Sequence, residues 1–131
     1  MNKTIRDKVY AKYNGNCAYS GTPLDKDWQV DHINPKRLYD YGMFSGDPDC
    51  IDNLVPAQRL INHYKRALPL DDFRNKWLGG LHKRLAKLPK NPKTVKGQNR
   101  KNYLLDIAAY FEITPDKPFS GVFYFEMQDG E

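Results

Sequence analysis

Apolar positions in the chain change their spacing several times, and each change marks an element. From Asn2 to Tyr13 the spacing is helical, with Ile5, Val9 and Tyr13 on one face and Asn14-Gly15 as a C-terminal stop. Cys17-Ala18-Tyr19-Ser20-Gly21 and Thr22-Pro23-Leu24 read as a tight turn. Trp28, Val30 and His32 then alternate with Gln29, Asp31 and Ile33, the period of a strand, which Pro35 ends.

Residues 34–50 are irregular by composition, with Asp40, Gly42, Gly46, Asp47, Pro48 and Asp49. A loop of that length in a small domain is more often functional than idle. Its Tyr39, Tyr41, Met43 and Phe44 either pack the loop down or touch a ligand, and packing is the expectation. Asp52 is placed to cap a helix reaching about Ala67, with Leu54, Ala57, Ile61, Tyr64 and Leu68 as its apolar stripe and Pro56 in the first turn.

A second helix is expected from Asp72 to about Leu88 on Phe73, Trp77, Leu81, Leu85 and Leu88, weakened or broken at Gly79-Gly80. His82 falls off that stripe and is expected to be exposed. Residues 89–101 read as a basic linker, and a third helix runs from Asn102 to about Ile113, packing Leu104, Ile107, Ala108 and Phe111. Val122-Phe123-Tyr124-Phe125 is a candidate closing strand. The pattern predicts an α+β fold.

Size changes this picture little: 131 residues suit one domain with a modest core. No apolar run reaches the length of a membrane span, and the start lacks a signal peptide's hydrophobic segment, so a soluble, cytoplasmic protein is expected. Two cysteines, Cys17 and Cys50, make no disulfide framework. The net charge of +5 favours an anionic partner.

The candidate chemistry lies in three stretches: Trp28-Gln29-Val30-Asp31-His32-Ile33-Asn34-Pro35, Asp52-Asn53-Leu54-Val55-Pro56 and Asn62-His63-Tyr64-Lys65. Phosphodiester hydrolysis needs a base for the attacking water and positive charge on the developing phosphorane. Histidine suits the base because its ordinary pKa lies near operating pH. Asp31 and Asn62 are hard oxygen donors that leave most of an octahedral shell open, which suits Mg²⁺.

Helical geometry favours Asn62 over His63 as the second donor, since Asn62 flanks the apolar stripe and His63 points nearly opposite it. One conflict arises on the strand. Neighbouring side chains point to opposite faces, so Asp31 and His32 can share a site only if the pleat is ending, and irregular backbone is expected at residues 31–34.

In order, these stretches resemble the core of the HNH nucleases, the ββα-metal fold, over about residues 6–66. Residues from about 70 onward are then a helical extension of a single domain, closed by the C-terminal strand. The resemblance implies that His32 is the general base, that Asp31 and Asn62 hold one Mg²⁺ or Mn²⁺, and that Asn53 positions the base and its loop. Lys65 matches the family's Asn-x-x-Lys ending.

Many relatives carry Cys-x-x-Cys where this chain has Cys17 and Ser20, with partner cysteines near the second Asn. Those are missing here, so no structural zinc is expected, and Cys17 reads as a buried apolar residue whose packing replaces the metal. The implied activity is DNA endonuclease, leaving 5′-phosphate and 3′-hydroxyl ends, with RNA also open as substrate.

Backbone contacts are expected from Lys36, Arg37, Lys65, Arg66, Lys90, Lys93, Lys96, Arg100 and Lys101. The chain can act as monomer or homodimer. Three alternatives stand beside this reading: a nucleic-acid-binding module without catalysis, a partner-dependent defence or toxin nuclease, and a zinc protein using His32, His63 and Cys17.

Overall fold

The computed structural model of the chain describes residues 2–129. Helices and one two-stranded antiparallel sheet make it an α+β protein, and the chain divides into two compact units, Met1–Leu70 with Phe123–Glu131 and Asp71–Val122.

In the first unit, α1 (Lys3–Ala11) starts where Asn2 accepts a hydrogen bond from the Ile5 N–H. It ends at Ala11, and the turn that follows passes through Asn14 and Gly15, both with positive φ. Its buried Val9 packs with Trp28 and Leu54 in one apolar cluster, with Ile5, Leu24 and Val30 around it. The Arg6 guanidinium lies 3.8 Å over the Trp28 ring and donates to the Trp28 carbonyl, so the strand's entry is fixed to the helix.

Strand β1 (Gln29–His32) pairs with β2 (Leu54–Ala57), placing Asp31 opposite Val55 and His32 opposite Leu54. Helix α2 (Lys36–Asp40) lies in the connection between them, and α3 (Arg59–Lys65) follows β2. The expected helix from Asp52 is therefore wrong over its first half. Val55 is β-branched and precedes a proline, and both properties disfavour the helical region. All four β2 residues are buried. Pro56, which lacks an N–H, uses its carbonyl to accept from Ala18 at 2.8 Å.

The expectation for residues 34–50 is also corrected, because α2 occupies part of that stretch. Tyr39 packs on Phe44 with ring centroids 5.5 Å apart, but Tyr41 and Met43 stay 74% and 68% exposed, so packing does not account for them.

Among the described residues, 122–125 do not form the expected closing strand. Tyr124–Asp129 form a helix, α7. The reason lies in the turn at residues 17–22: carbonyls of Tyr19 and Ala18 take the Tyr124 and Phe125 N–H groups, supplying partners a helix start otherwise lacks. Phe123 and Phe125 then bury edge-on against Tyr19. Gly21, at φ +75°, lets Tyr124 approach; a Cβ there would meet its ring at 2.7 Å.

In the second unit, α4 (Leu70–Asp72, starting at the last residue of the first unit) runs into a π-helical stretch, Phe73–Leu78, and breaks at Gly79-Gly80 as the glycines suggest. Helix α5 is Leu81–Ala86. Helix α6 spans Val95–Tyr110 and begins seven residues earlier than expected, because Thr94 caps it by accepting from the Gly97 N–H. Phe73, Leu78, Leu81, Leu85, Leu104, Ile107, Ala108 and Ile113 are buried. His82, expected to be exposed, is half-buried, with Nδ1 unpaired.

Candidate active site

The end of β1, the start of α2 and the end of α3 enclose a cleft of about 270 Å³ lined by Asp31, His32, Pro35, Lys36, Asn62, Arg66 and Ala67. His63 is exposed and does not line it. The helical argument that separates Asn62 from His63 holds even though the helix is shorter than expected, since Ile61 and Tyr64 still define its buried side.

Ladder pairing continues through His32, and only Ile33 and Asn34 bend away, so the irregularity expected at residues 31–34 is confined to its second half. Asp31 and His32 nevertheless line the same cleft, because the strand ends there.

Asp31 is the most buried residue of β1. Its Oδ2 accepts from the Tyr19 hydroxyl at 2.5 Å and faces the Lys65 ammonium at 3.1 Å. Burial pushes the Asp31 carboxyl above its ordinary value, against the pull of the Lys65 charge and the Tyr19 hydroxyl. Burial likewise raises Tyr19 well above 10.0, so it remains a donor.

Lys65 corrects an expectation: it is fully buried, donating to the His32 carbonyl at 2.9 Å as well, and does not belong to a phosphate-contacting surface. Its role is to compensate the Asp31 charge and hold the strand end.

His32 is oriented by a residue the sequence reading missed. Its Nε2 lies 2.7 Å from Asp49 Oδ1, and the imidazole contact holds the Asp49 carboxyl below its ordinary value. A carboxylate on Nε2 favours the tautomer that leaves Nδ1 free as a proton acceptor. Asp49 sits among several acids in a loop, and spacing alone does not single it out.

Asn53 is buried and makes three hydrogen bonds. Oδ1 accepts from the Asn34 N–H, while Nδ2 donates to the carbonyls of Asn34 and Pro48. It thus ties the exit of β1 to the segment that carries Asp49.

Asn62 donates through Nδ2 to Gln29 Oε1 at 2.7 Å. Neither Asp31 Oδ1 nor Asn62 Oδ1 accepts a hydrogen bond from a described residue, so each presents an oxygen with free lone pairs. Oxygens of this type suit a hard divalent cation completed by water and phosphate oxygens. Among the described residues no cluster of three or more His, Cys, Asp or Glu side chains is placed to hold a metal by itself.

The turn at Cys17 is tethered by Gln58, four residues ahead of Asn62. Its amide donates to Thr22 Oγ1 and the Pro23 carbonyl and accepts from the Asp25 N–H. Cys17 is fully buried, as expected; Cys50 is exposed. The tether is therefore a hydrogen-bonded amide as well as apolar packing.

Of the expected phosphate contacts, Lys36 and Arg66 reach the cleft. Arg37 is exposed but donates twice to the Ala67 carbonyl. Lys90, Lys93, Lys96 and Arg100 are exposed in the second unit, whereas Lys101 clamps the carbonyls of Pro89 and Lys90. Arg66 has φ 55° and ψ −142°, a region costly for a residue with a Cβ.

No protein-family model matches the chain, and no curated protein is significantly similar to it. No helix among the described residues is long and apolar enough to cross a membrane.

Proposed function

We propose that the chain is a metal-dependent nuclease of the HNH type, with a ββα-metal core formed by β1, β2 and α3, acting on DNA phosphodiester bonds. One observation carries this reading: the adjacent Asp31 and His32 of β1 and the distant Asn62 of α3 line a single cleft.

His32 accepts a proton from water at Nδ1 as the water oxygen bonds to phosphorus. The bond from phosphorus to the 3′-oxygen breaks, and that oxygen leaves to be protonated from solvent. Asp49 keeps the imidazole in the accepting tautomer, and Asn53 keeps Asp49's segment in reach. Asp31 and Asn62 would hold Mg²⁺ or Mn²⁺, which supplies positive charge for the phosphorane and the leaving oxygen. Lys36 and Arg66 orient the phosphate backbone.

Plasmid cleavage in Mg²⁺ or Mn²⁺ tests the proposal: the wild-type chain cuts and His32→Ala does not. Full activity in His32→Ala refutes it.

A second reading is favoured by the Lys65–Asp31 pair, which already compensates the carboxylate a cation needs. In that case the chain binds nucleic acid without cutting, and retards DNA in every divalent metal without cleaving it.

A further inference from the structure

The cleft is short of negative charge. Its lining holds one carboxylate, Asp31, against two cations, Lys36 and Arg66. Beneath it the Lys65 ammonium, wholly buried, sits 3.1 Å from Asp31 Oδ2. Asp49 adds an anion, but its Oδ1 is engaged by His32 at 2.7 Å and Lys36 at 3.4 Å. Asn62, the other oxygen donor, is neutral. Counted together, these five charged side chains leave the site with a net positive charge.

A dication approaching such a site is repelled by more charge than attracts it, and gains only two protein oxygens in exchange for its water. A phosphodiester is attracted, and brings the anionic oxygens that Mg²⁺ sites commonly borrow from substrate. We infer that this chain binds its divalent cation only together with a nucleic-acid backbone, so that metal and polyanion are obligatory partners in binding.

The inference rests on the function proposed above and adds an order of assembly to it. Lys65 is the residue that sets the coupling, by cancelling the Asp31 charge from the protein side. Arg66 and Lys36 set it from the cleft side. The arrangement keeps the site uncharged by metal until a backbone is in place.

Coupling between two ligands is reciprocal, so the factor by which a duplex tightens the cation equals the factor by which the cation tightens the duplex. We expect a factor of about 30 or more, within the roughly 5- to 150-fold range usual for coupled sites.

The test is Mn²⁺ binding to the full chain, read from the electron paramagnetic resonance signal of the free ion. The His32→Ala chain is used so that a short DNA duplex stays intact, and the duplex alone serves as background. Without duplex, no saturable binding is expected up to about 1 mM Mn²⁺, the weak end of oxygen-ligand cation sites. With duplex, one further Mn²⁺ per chain binds, and duplex affinity rises by the same factor.

Arg66→Gln and Lys36→Gln give a directional check, since both side chains are exposed. Each is expected to tighten Mn²⁺ binding by the bare chain while weakening metal-free duplex binding. A merely structural residue would not move the two in opposite directions.

Stoichiometric Mn²⁺ binding that is equally tight with and without duplex overturns the inference, while the proposed function stands on the wild-type chain's cutting. No Mn²⁺ binding in either arm, with no cutting, overturns both.

Discussion

Asp49 Oδ1 lies 2.7 Å from Nε2 of His32, across a seventeen-residue separation in the chain, and Lys36 Nζ approaches the same oxygen at 3.4 Å. The carboxylate therefore selects which imidazole nitrogen carries the proton. Asp49→Ala is expected to lower cleavage about 10- to 100-fold, the usual cost of losing an orienting partner. His32→Ala is expected to cost about 10²- to 10⁴-fold, the range for a general base. Single-turnover plasmid nicking measures both; an Asp49→Ala chain as active as wild type removes Asp49 from the site.

Asn53 adds three hydrogen bonds to the contacts that hold the exit of β1 against the segment carrying Asp49. Asn53→Ala deletes three hydrogen bonds and leaves their part-buried backbone partners without that side chain. A loss of about 2–4 kcal/mol in urea unfolding is expected. Asn53→Asp should fare little better, because it turns an acceptor toward the Asn34 and Pro48 carbonyls.

Lys65 and Asp31 form a buried ion pair, and removing one partner strands the other. Lys65→Met is expected to destabilise the chain by about 3–5 kcal/mol. Adding Asp31→Asn should recover part of that loss, since a neutral amide still accepts from Tyr19. Urea denaturation of both single variants and the double variant measures the coupling; purely additive losses would mean the pair is not an interacting unit.

Tyr19 sets an alkaline limit. Its folded-state pKa is raised well above 10.0, its ordinary value, by burial and by Asp31. The stability it contributes is whole below that ordinary value and is lost as pH rises toward the folded value, because only the unfolded chain releases the proton. The slope is about 1.4 kcal/mol per pH unit for one group. Tyr19→Phe lacks this slope, so the stability gap between wild type and variant should narrow between about pH 9 and 11. A constant gap in urea unfolding over that range would show that Tyr19 titrates normally in the fold.

Local patterns carried α1, β1, the break at Gly79-Gly80 and α3, the second half of the helix expected from Asp52. In each of these the spacing of apolar residues or a stop signal is a property of the segment alone. Asp31, His32, Asn53 and Asn62 were legible as candidates in the same way, from residue type and order.

Three other features were decided by distant partners. The stretch Leu54–Ala57 became a strand because β1 and Ala18 offered it hydrogen bonds, and Tyr124–Asp129 became a helix because the turn at residues 17–22 offered carbonyls to its start. Lys65 turned inward because a buried carboxylate needed a counter-charge. Asp49 was one acid among several until the fold set it against His32.

The sequence by itself determined which side chains can do chemistry and where short elements begin and stop, since propensity, capping and periodicity act over a few residues. Tertiary structure alone decided which cations are buried. It also decided which acid meets the imidazole, because these depend on desolvation and on partners many residues away.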